Sequence, residues 1–196
     1  MDNLLKKDQD RLKLFRKYGY DITKARKFVI AKGGISKGRI LEVGTGRGNM
    51  AIALAKEGLK LTSVDLDRDA QKAAKIKLSA ARLDKLVSLR VMNAEKLRYK
   101  DNSFDYVISV NFIHHAKNPK KCLKEMIRVT KNKLIIADLN RKGEGIIQKV
   151  HGLDGHSHPA SRVSLKDAKR FLERLGMIVN VYEDICQSVL VTTKED

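Results

Sequence analysis

With 196 residues and a 42% apolar share, the chain is long enough to bury a sizeable core. No run approaches the roughly 20 apolar residues of a membrane span, the opening MDNLLKKDQDRLKLFRKY lacks the uninterrupted apolar stretch of a secretory leader, and Cys122 and Cys186 are too few for a disulfide framework, so a cytoplasmic setting is expected. The formal net charge of +18 is unusual. It leaves nucleic acid as an alternative partner, although the basic residues are dispersed along the chain, as on a solvated surface.

The densest basic group opens the chain. Lys6, Lys7, Arg11, Lys13, Arg16 and Lys17 interleave with Leu4, Leu5, Leu12, Leu14 and Phe15, which predicts an amphipathic helix. Such a helix suits RNA, a membrane surface or packing against the rest of the fold. Segment 32–38, KGGISKG, reads as a loop. It ends an N-terminal helical arm, residues 1–37. No repeat or linker divides the rest of the chain, so a single domain is expected, with a core at 38–140 and a closing part at 141–196.

Apolar runs at 39–43, 59–65, 87–92, 104–110 and 133–139 predict strands. Several are apolar on consecutive positions, as on strands buried on both faces. Helical patterns lie between them. Asp67 is placed to cap one, Asn118 and Pro119 to start another, and Ser164 with Asp167 to form a capping box before a helix that Gly176 ends. Alternation of this kind implies a parallel sheet with helices on both faces. The runs at 177–182 and 188–193 have no helix between them and predict an antiparallel closing hairpin.

The stretch ILEVGTGRGN carries chemistry. A strand runs into a turn at Gly44, Thr45, Gly46 and Gly48, and a helix comes next. Glycines there let ligand atoms approach the backbone, and the helix start offers unpaired N–H groups. The dinucleotide fingerprint G-x-G-x-x-G would need glycine at 49, which is Asn49. Glu42 lies two places before the first glycine. Asp65 ends the second strand, where a carboxylate can accept from both hydroxyls of a ribose; the plainer reading is a helix cap, for which Asp67 is better placed. After the third strand come Asn93 and Ala94. The Asn93 amide can accept from an adenine amino group and the Ala94 N–H can donate to a ring nitrogen, or Asn93 simply forms the turn. Glu42, Asp65, Asn93, Asn111 and Asp138 all end or succeed strands and should line one edge of the sheet.

The stretches LEVGTGRGNM, VDLD, NAEKL, NSFDYVIS and HHAKNPKKCLKEMIRV resemble the motifs of class I S-adenosylmethionine-dependent methyltransferases, nearest the broad group that includes the ubiquinone and menaquinone biosynthesis enzymes. The resemblance covers residues 38–140 and the remainder loosely. It implies a Rossmann-like three-layer α/β sandwich with a seven-stranded, mostly parallel sheet of order 3-2-1-4-5-7-6, the last strand antiparallel. It implies S-adenosylmethionine as cofactor, with Gly44, Gly46 and Gly48 at the methionine end, Asp65 at the ribose, Asn93 and Ala94 at the adenine and Leu66 packed on its ring. Asn93 departs from the commoner aspartate, and the turn at 130–133 lacks the frequent Pro-Gly-Gly, which implies a shorter loop. No Asn-Pro-Pro-Tyr-like motif succeeds the fourth strand, which weighs against a nitrogen of an amide or nucleobase.

Methyl transfer to a small acceptor is therefore expected, with an RNA methyltransferase and a non-catalytic cofactor-binding module as alternatives. Displacement at a sulfonium needs alignment above all, and a base only if the acceptor must lose a proton. His114, His115, His151 and His156 are the candidates for that base; for the His114–His115 pair, packing is the plainer reading. Their spacing matches no metal motif, and none is expected. Residues 145–150 predict a short helix. The glycines and histidines after it predict a loop that walls the acceptor pocket, with His151, Asp154 and His156 as contacts, or else an ordinary surface loop.

Overall fold

β1 (Ile40–Val43) is buried at all four positions, as expected of a central strand covered on both faces. In the computed structural model, which describes residues 2–153 and 163–193, it sits mid-sheet. Around it lie β2 (Leu61–Asp65), β3 (Val87–Val91), β4 (Phe104–Val110), β5 (Thr130–Leu139), β6 (Ile178–Glu183) and β7 (Gln187–Thr193). The spatial order is β3-β2-β1-β4-β5-β7-β6. The first five strands run parallel, and β7 runs antiparallel to both β5 and β6. The parallel arrangement is what the strand and helix alternation implied, and the strand order is the one that the family resemblance implied; helices supply the crossovers except between β3 and β4, where residues 92–103 hold none.

The helices are α1 (Asp2–Lys17), α2 (Ile22–Gly33), α3 (Asn49–Lys56), α4 (Arg68–Ala80), α5 (Pro119–Val129), α6 (Arg141–Leu153) and α7 (Leu165–Arg174). Asp67 caps α4 by accepting from the N–H groups of Asp69 and Ala70. Ser164 and Asp167 form the capping box of α7. Asn118 does not cap α5 with its side chain. Its amide instead donates to both carboxylate oxygens of Glu95 at 3.0 Å, a charge-assisted pair that outcompetes a neutral cap.

Three boundaries differ from the sequence reading. α2 continues through Lys32 and Gly33, because Gly34 beyond it closes the helix in the left-handed conformation. The expected turn at 130–133 is not a loop: α5 passes directly into β5, and a register irregularity between Phe104 and Tyr106 takes up the excess chain. α6 is longer than residues 145–150, so His151 belongs to a helix rather than a loop. Asn140 starts this helix by accepting from the Gly143 N–H at 3.0 Å. A Cβ at Gly143 would lie 2.2 Å from the Cys186 carbonyl oxygen, so only glycine lets the helix pass that close to the β6–β7 hairpin. Asp154, His156 and His158 lie outside the described residues.

Each face of the sheet carries its own apolar cluster. One is built on Leu123, Met126 and Leu134, the other on Leu54, Ile108 and Ile135. A third cluster, with Phe15, Tyr20, Leu139 and Val150, joins the N-terminal arm to α6 at the carboxyl end of β5. The arm is thereby folded over the same sheet edge from which ligand-facing turns emerge. Among the described residues no helix is long and apolar enough to cross a membrane.

Candidate active site

The turn after β1 is shaped by glycine. Gly44 has φ +91°, and a Cβ there would sit 2.7 Å from the Phe112 side chain. Gly46, at φ +48°, has nothing within 4 Å of its would-be Cβ and so borders open space. Its N–H donates to Asp65 Oδ2 at 2.8 Å, while Asp65 Oδ1 accepts from the Asp67 N–H at 3.0 Å. Two backbone donors thus aim the carboxylate, and each oxygen keeps lone-pair capacity for a ligand.

These turns enclose a cavity of about 670 Å³ along the ends of β1 to β4. Asp65, Asn93 and Glu95 supply polar atoms, and Leu66, Met92 and Phe112 supply apolar walls. Leu66 is 65% exposed at the rim, where an apolar side chain is costly unless a flat apolar group covers it. Asn93 Oδ1 accepts from the Glu95 N–H at 2.8 Å, so its side chain forms the turn while retaining a second lone pair. Ala94 is buried against it.

Beneath the turn runs a buried polar chain. The Ser63 hydroxyl donates to Glu42, Thr45 and Ser63 share a hydrogen bond, and the Gln71 amide donates to Thr45 Oγ1 at 2.9 Å and to the Arg90 carbonyl at 3.1 Å. This chain locks the glycine turn to β2 and α4. Burial pushes the Glu42 carboxyl up to about 8, against the lowering effects of Ser63 and Arg26. Near neutral pH Glu42 is therefore largely protonated.

A second cavity, of about 260 Å³, shares Gly44, Gly46, Asn111 and His115 with the first. Its far walls come from α1 and α2 (Arg11, Phe15, Arg26), from the joining Tyr20, and from Ile147 and His151 on α6. Asn111 stands at the junction with φ +53°, a conformation that asparagine tolerates better than most residues. Its Oδ1 accepts from the Gln187 amide at 2.9 Å. His114 lines this cavity, and its Nδ1 lies 2.7 Å from Asp138 Oδ1 with both side chains buried. His115 is exposed at the junction, its ring centroid 3.9 Å from that of His114. His151 pairs with Arg11, tying α6 to α1. Among the described residues, no three His, Cys, Asp or Glu side chains gather in a way that would hold a metal ion.

The structure thus brings Glu42, Gly44, Thr45, Gly46, Asp65, Leu66, Asn93, Ala94, Asn111, His114, His115 and His151 to the two adjoining cavities. Gly48 lies behind them: a Cβ there would press on Ala74 at 3.0 Å, so its part is to pack α3 against α4. Sequence reasoning missed the contributions of Arg11, Phe15, Tyr20 and Arg26. It also missed Asp8, which is buried between Lys77 (2.7 Å) and Arg47 (3.5 Å) and pins α1 to the glycine turn and α4. One signal was available, since Asp8 falls on the Leu4, Leu12 and Phe15 face of the helix by spacing.

Residues 41–137, about half the chain and the stretch from β1 to β5, match the family model described as a methyltransferase domain. The chain belongs to the class I S-adenosylmethionine-dependent methyltransferases. Relatives of this chain include an uncharacterized protein of Haemophilus influenzae, 37% identical over 55% of this chain and 45% of that one. The norajmaline N-methyltransferase of Rauvolfia serpentina is 34% identical over 46% and 31%. The ubiquinone/menaquinone biosynthesis C-methyltransferase of Rickettsia massiliae is 33% identical over 56% and 47%. The chain thus spans less than half the length of these relatives. Among solved structures, a putative S-adenosyl-L-methionine-dependent methyltransferase from Methanococcus maripaludis superposes with TM-score 0.75 at 17% identity, covering 97% of this chain and 92% of that one. The cyclase SpnF superposes with TM-score 0.71 at 15% identity, covering 88% and 80%. At such identities the likeness is one of fold alone, and a cyclase among the neighbours shows that the fold also hosts other reactions.

Proposed function

We propose that the chain transfers the methyl group of S-adenosylmethionine to a small-molecule acceptor. The observation that carries this reading is the pair of cavities meeting at Gly44, Gly46, Asn111 and His115, one roomy and apolar-walled, the other small and lined by histidines and arginines. The first fits a nucleoside. Asp65 offers its free lone pairs to the ribose, Asn93 and Ala94 face the adenine edge, and Leu66 covers the ring. Gly44, Thr45 and Gly46, with Glu42 beneath, border the methionine end, and Asn111 stands at the junction.

S-adenosylmethionine supplies an electrophilic methyl group on a sulfonium. The chain's own residues have two further tasks. The arm and α6 exclude water from the second cavity and hold an acceptor there in line with the junction. His114, oriented through Nδ1 by Asp138, takes a proton from an acceptor hydroxyl, amine or acidic carbon at its other ring nitrogen. His151, occupied with Arg11, is a wall of this pocket rather than the base.

Incubation with radiolabelled S-adenosylmethionine and fractionated cell extract tests the reading, and label in a small-molecule fraction is expected. Label in RNA would redirect it to the alternative that the +18 charge raises; cofactor binding with no labelled fraction would leave a non-catalytic module. With the acceptor in hand, Asp138→Asn should lower kcat about 10²- to 10⁴-fold, the range of general base catalysis, with cofactor affinity kept. An unchanged kcat and pH profile would remove the His114–Asp138 pair from the reaction.

A further inference from the structure

The sheet ends in two edges that are protected differently. β3 is blunted by charge: Arg90 stands exposed in the strand, and Lys85, Lys96 and Arg98 flank it. β6 forms the opposite edge. It pairs on one side with β7, in an unbroken register from Ile178 to Glu183, and on the other with no described strand. From Leu175 to Thr193 the chain holds neither Lys nor Arg, although these make up 41 of its 196 residues. Burial accounts for this in β7 but not in β6, where Ile178 is 54% and Val181 45% exposed. Apolar side chains stand on both faces of the strand: Val179 packs with the cluster under α7, and Tyr182 with the one under α2. A straight apolar edge of this kind, with backbone N–H and C=O groups to spare, is a template for another strand.

We propose that β6 is the interface of a two-fold dimer, pairing antiparallel with β6 of a second copy and joining the two seven-stranded sheets into one. The strand is self-complementary. A two-fold axis normal to the sheet sets each residue opposite one on the same face. With the axis at Asn180, Ile178 meets Tyr182 of the second copy, Val179 meets Val181, and the two Asn180 amides meet each other, each able to donate and accept. The acidic end, Glu183 and Asp184, falls opposite Met177 and Gly176, two residues beyond which comes Arg174, so like charges are kept apart. Moving the axis to Val181 would instead set Glu183 against Val179. Charge also selects a second copy as the occupant. Two chains of +18 repel over most of their surface, and β6 is an exposed strand without basic residues. An acidic partner would find more to hold at the β3 edge. None of residues 175–183 lines either cavity, so the pairing leaves their walls untouched.

Sedimentation velocity and light scattering on the full chain test this over a concentration series at low and moderate salt. Wild type should pass from monomer to dimer and no further, because a two-fold contact closes on itself. Added salt should tighten the dimer severalfold, since it screens the repulsion between two basic bodies and leaves an apolar contact intact. Val181→Lys and Ile178→Lys should each weaken the dimer by about a hundredfold or more, because both copies carry the charge into the contact. Val91→Lys adds the same charge at the other edge and should leave the affinity within about twofold. Circular dichroism and binding of 5′-methylthioadenosine, the nucleoside fragment of the methyl donor, report that each variant is folded. Oxidation reads the register. Asn180→Cys should give a disulfide-linked dimer, because its Cα atoms meet across the axis at about 4.5–5.5 Å. Glu183→Cys should not, because its two copies stand about 20 Å apart along the strands. A wild type that stays monomeric at every concentration and salt overturns the proposal, as does open-ended association. A dimer untouched by both lysines, or one linked through Glu183→Cys rather than Asn180→Cys, overturns it as well. Should a lysine variant fail to fold, the cysteine pair decides alone.

Discussion

The two cavities are built in different ways. The larger one is made by turns that each come directly after a strand: the glycine turn after β1, Asp65 ending β2, Asn93 and Ala94 after β3, and Asn111 after β4. Each contribution is local, and a parallel sheet brings the strand ends together. The smaller one is assembled from parts far apart in the chain, with Arg11, Phe15 and Arg26 from the N-terminal arm facing Leu139, Ile147 and His151. Its polar contacts span the molecule, as between Arg26 and Gln187 or Arg11 and His151. Two cavities with these origins can vary independently: changes in the arm and α6 would reshape the smaller one while the strand-end turns stay put.

That contrast is open to attack at three places. The largest effect is expected at Asp8, which holds the arm down. Asp8→Ala leaves Lys77 and Arg47 facing each other without their counter-charge, and removing one partner of a buried pair costs about 3–5 kcal/mol. Urea denaturation should show that loss. If the arm serves only the smaller cavity, affinity for 5′-methylthioadenosine should stay within about twofold of wild type. A fall in nucleoside affinity matching the lost stability would show that the two regions are not separable.

Glu42 lines the smaller cavity beneath the glycine turn that both cavities share, and it should report through pH. In the folded protein its carboxyl titrates at about 8, above the ordinary 4.5. Between those values the folded state holds a proton that the unfolded chain has released. Stability from this group is therefore fully present below about 4.5 and is lost as pH rises through about 8. Glu42→Gln should remove this slope, on the order of a few kcal/mol across the window, in a pH series of denaturation midpoints on ligand-free protein. Parallel pH profiles for the two proteins would place the Glu42 titration back in the ordinary carboxylate range.

Asp65 sharpens the comparison from the other side. Asp65→Ala should weaken nucleoside binding by about 1.5–3 kcal/mol, the scale for hydrogen bonds to a charged group. The loss also frees the Gly46 and Asp67 N–H groups that the carboxylate now holds. It should fall equally on S-adenosylhomocysteine and 5′-methylthioadenosine, since it concerns the ribose end alone. Unchanged calorimetric affinity in a folded variant would remove Asp65 from the ribose.

The sequence by itself determined the sheet and the edge that carries the larger cavity. Consecutive apolar positions, capping residues and the glycine spacing after Val43 are local signals, and local periodicity sets which segment becomes strand, turn or helix. The strand order followed from the resemblance of the motif stretches to the methyltransferase family, not from local pattern. Even here the boundaries were decided by contacts across the fold. β5 starts at Thr130 because α5 runs straight into it, and α6 extends past His151 because Gly143 lets it dock on Cys186. The tertiary structure alone decided the smaller cavity. Nothing in the local pattern around Arg26, Asp8 or His114 says that their partners are Gln187, Lys77 and Asp138. A buried polar group is defined by what the rest of the chain places beside it, and that placement comes from how the helices cover the sheet rather than from the spacing of neighbours in the sequence.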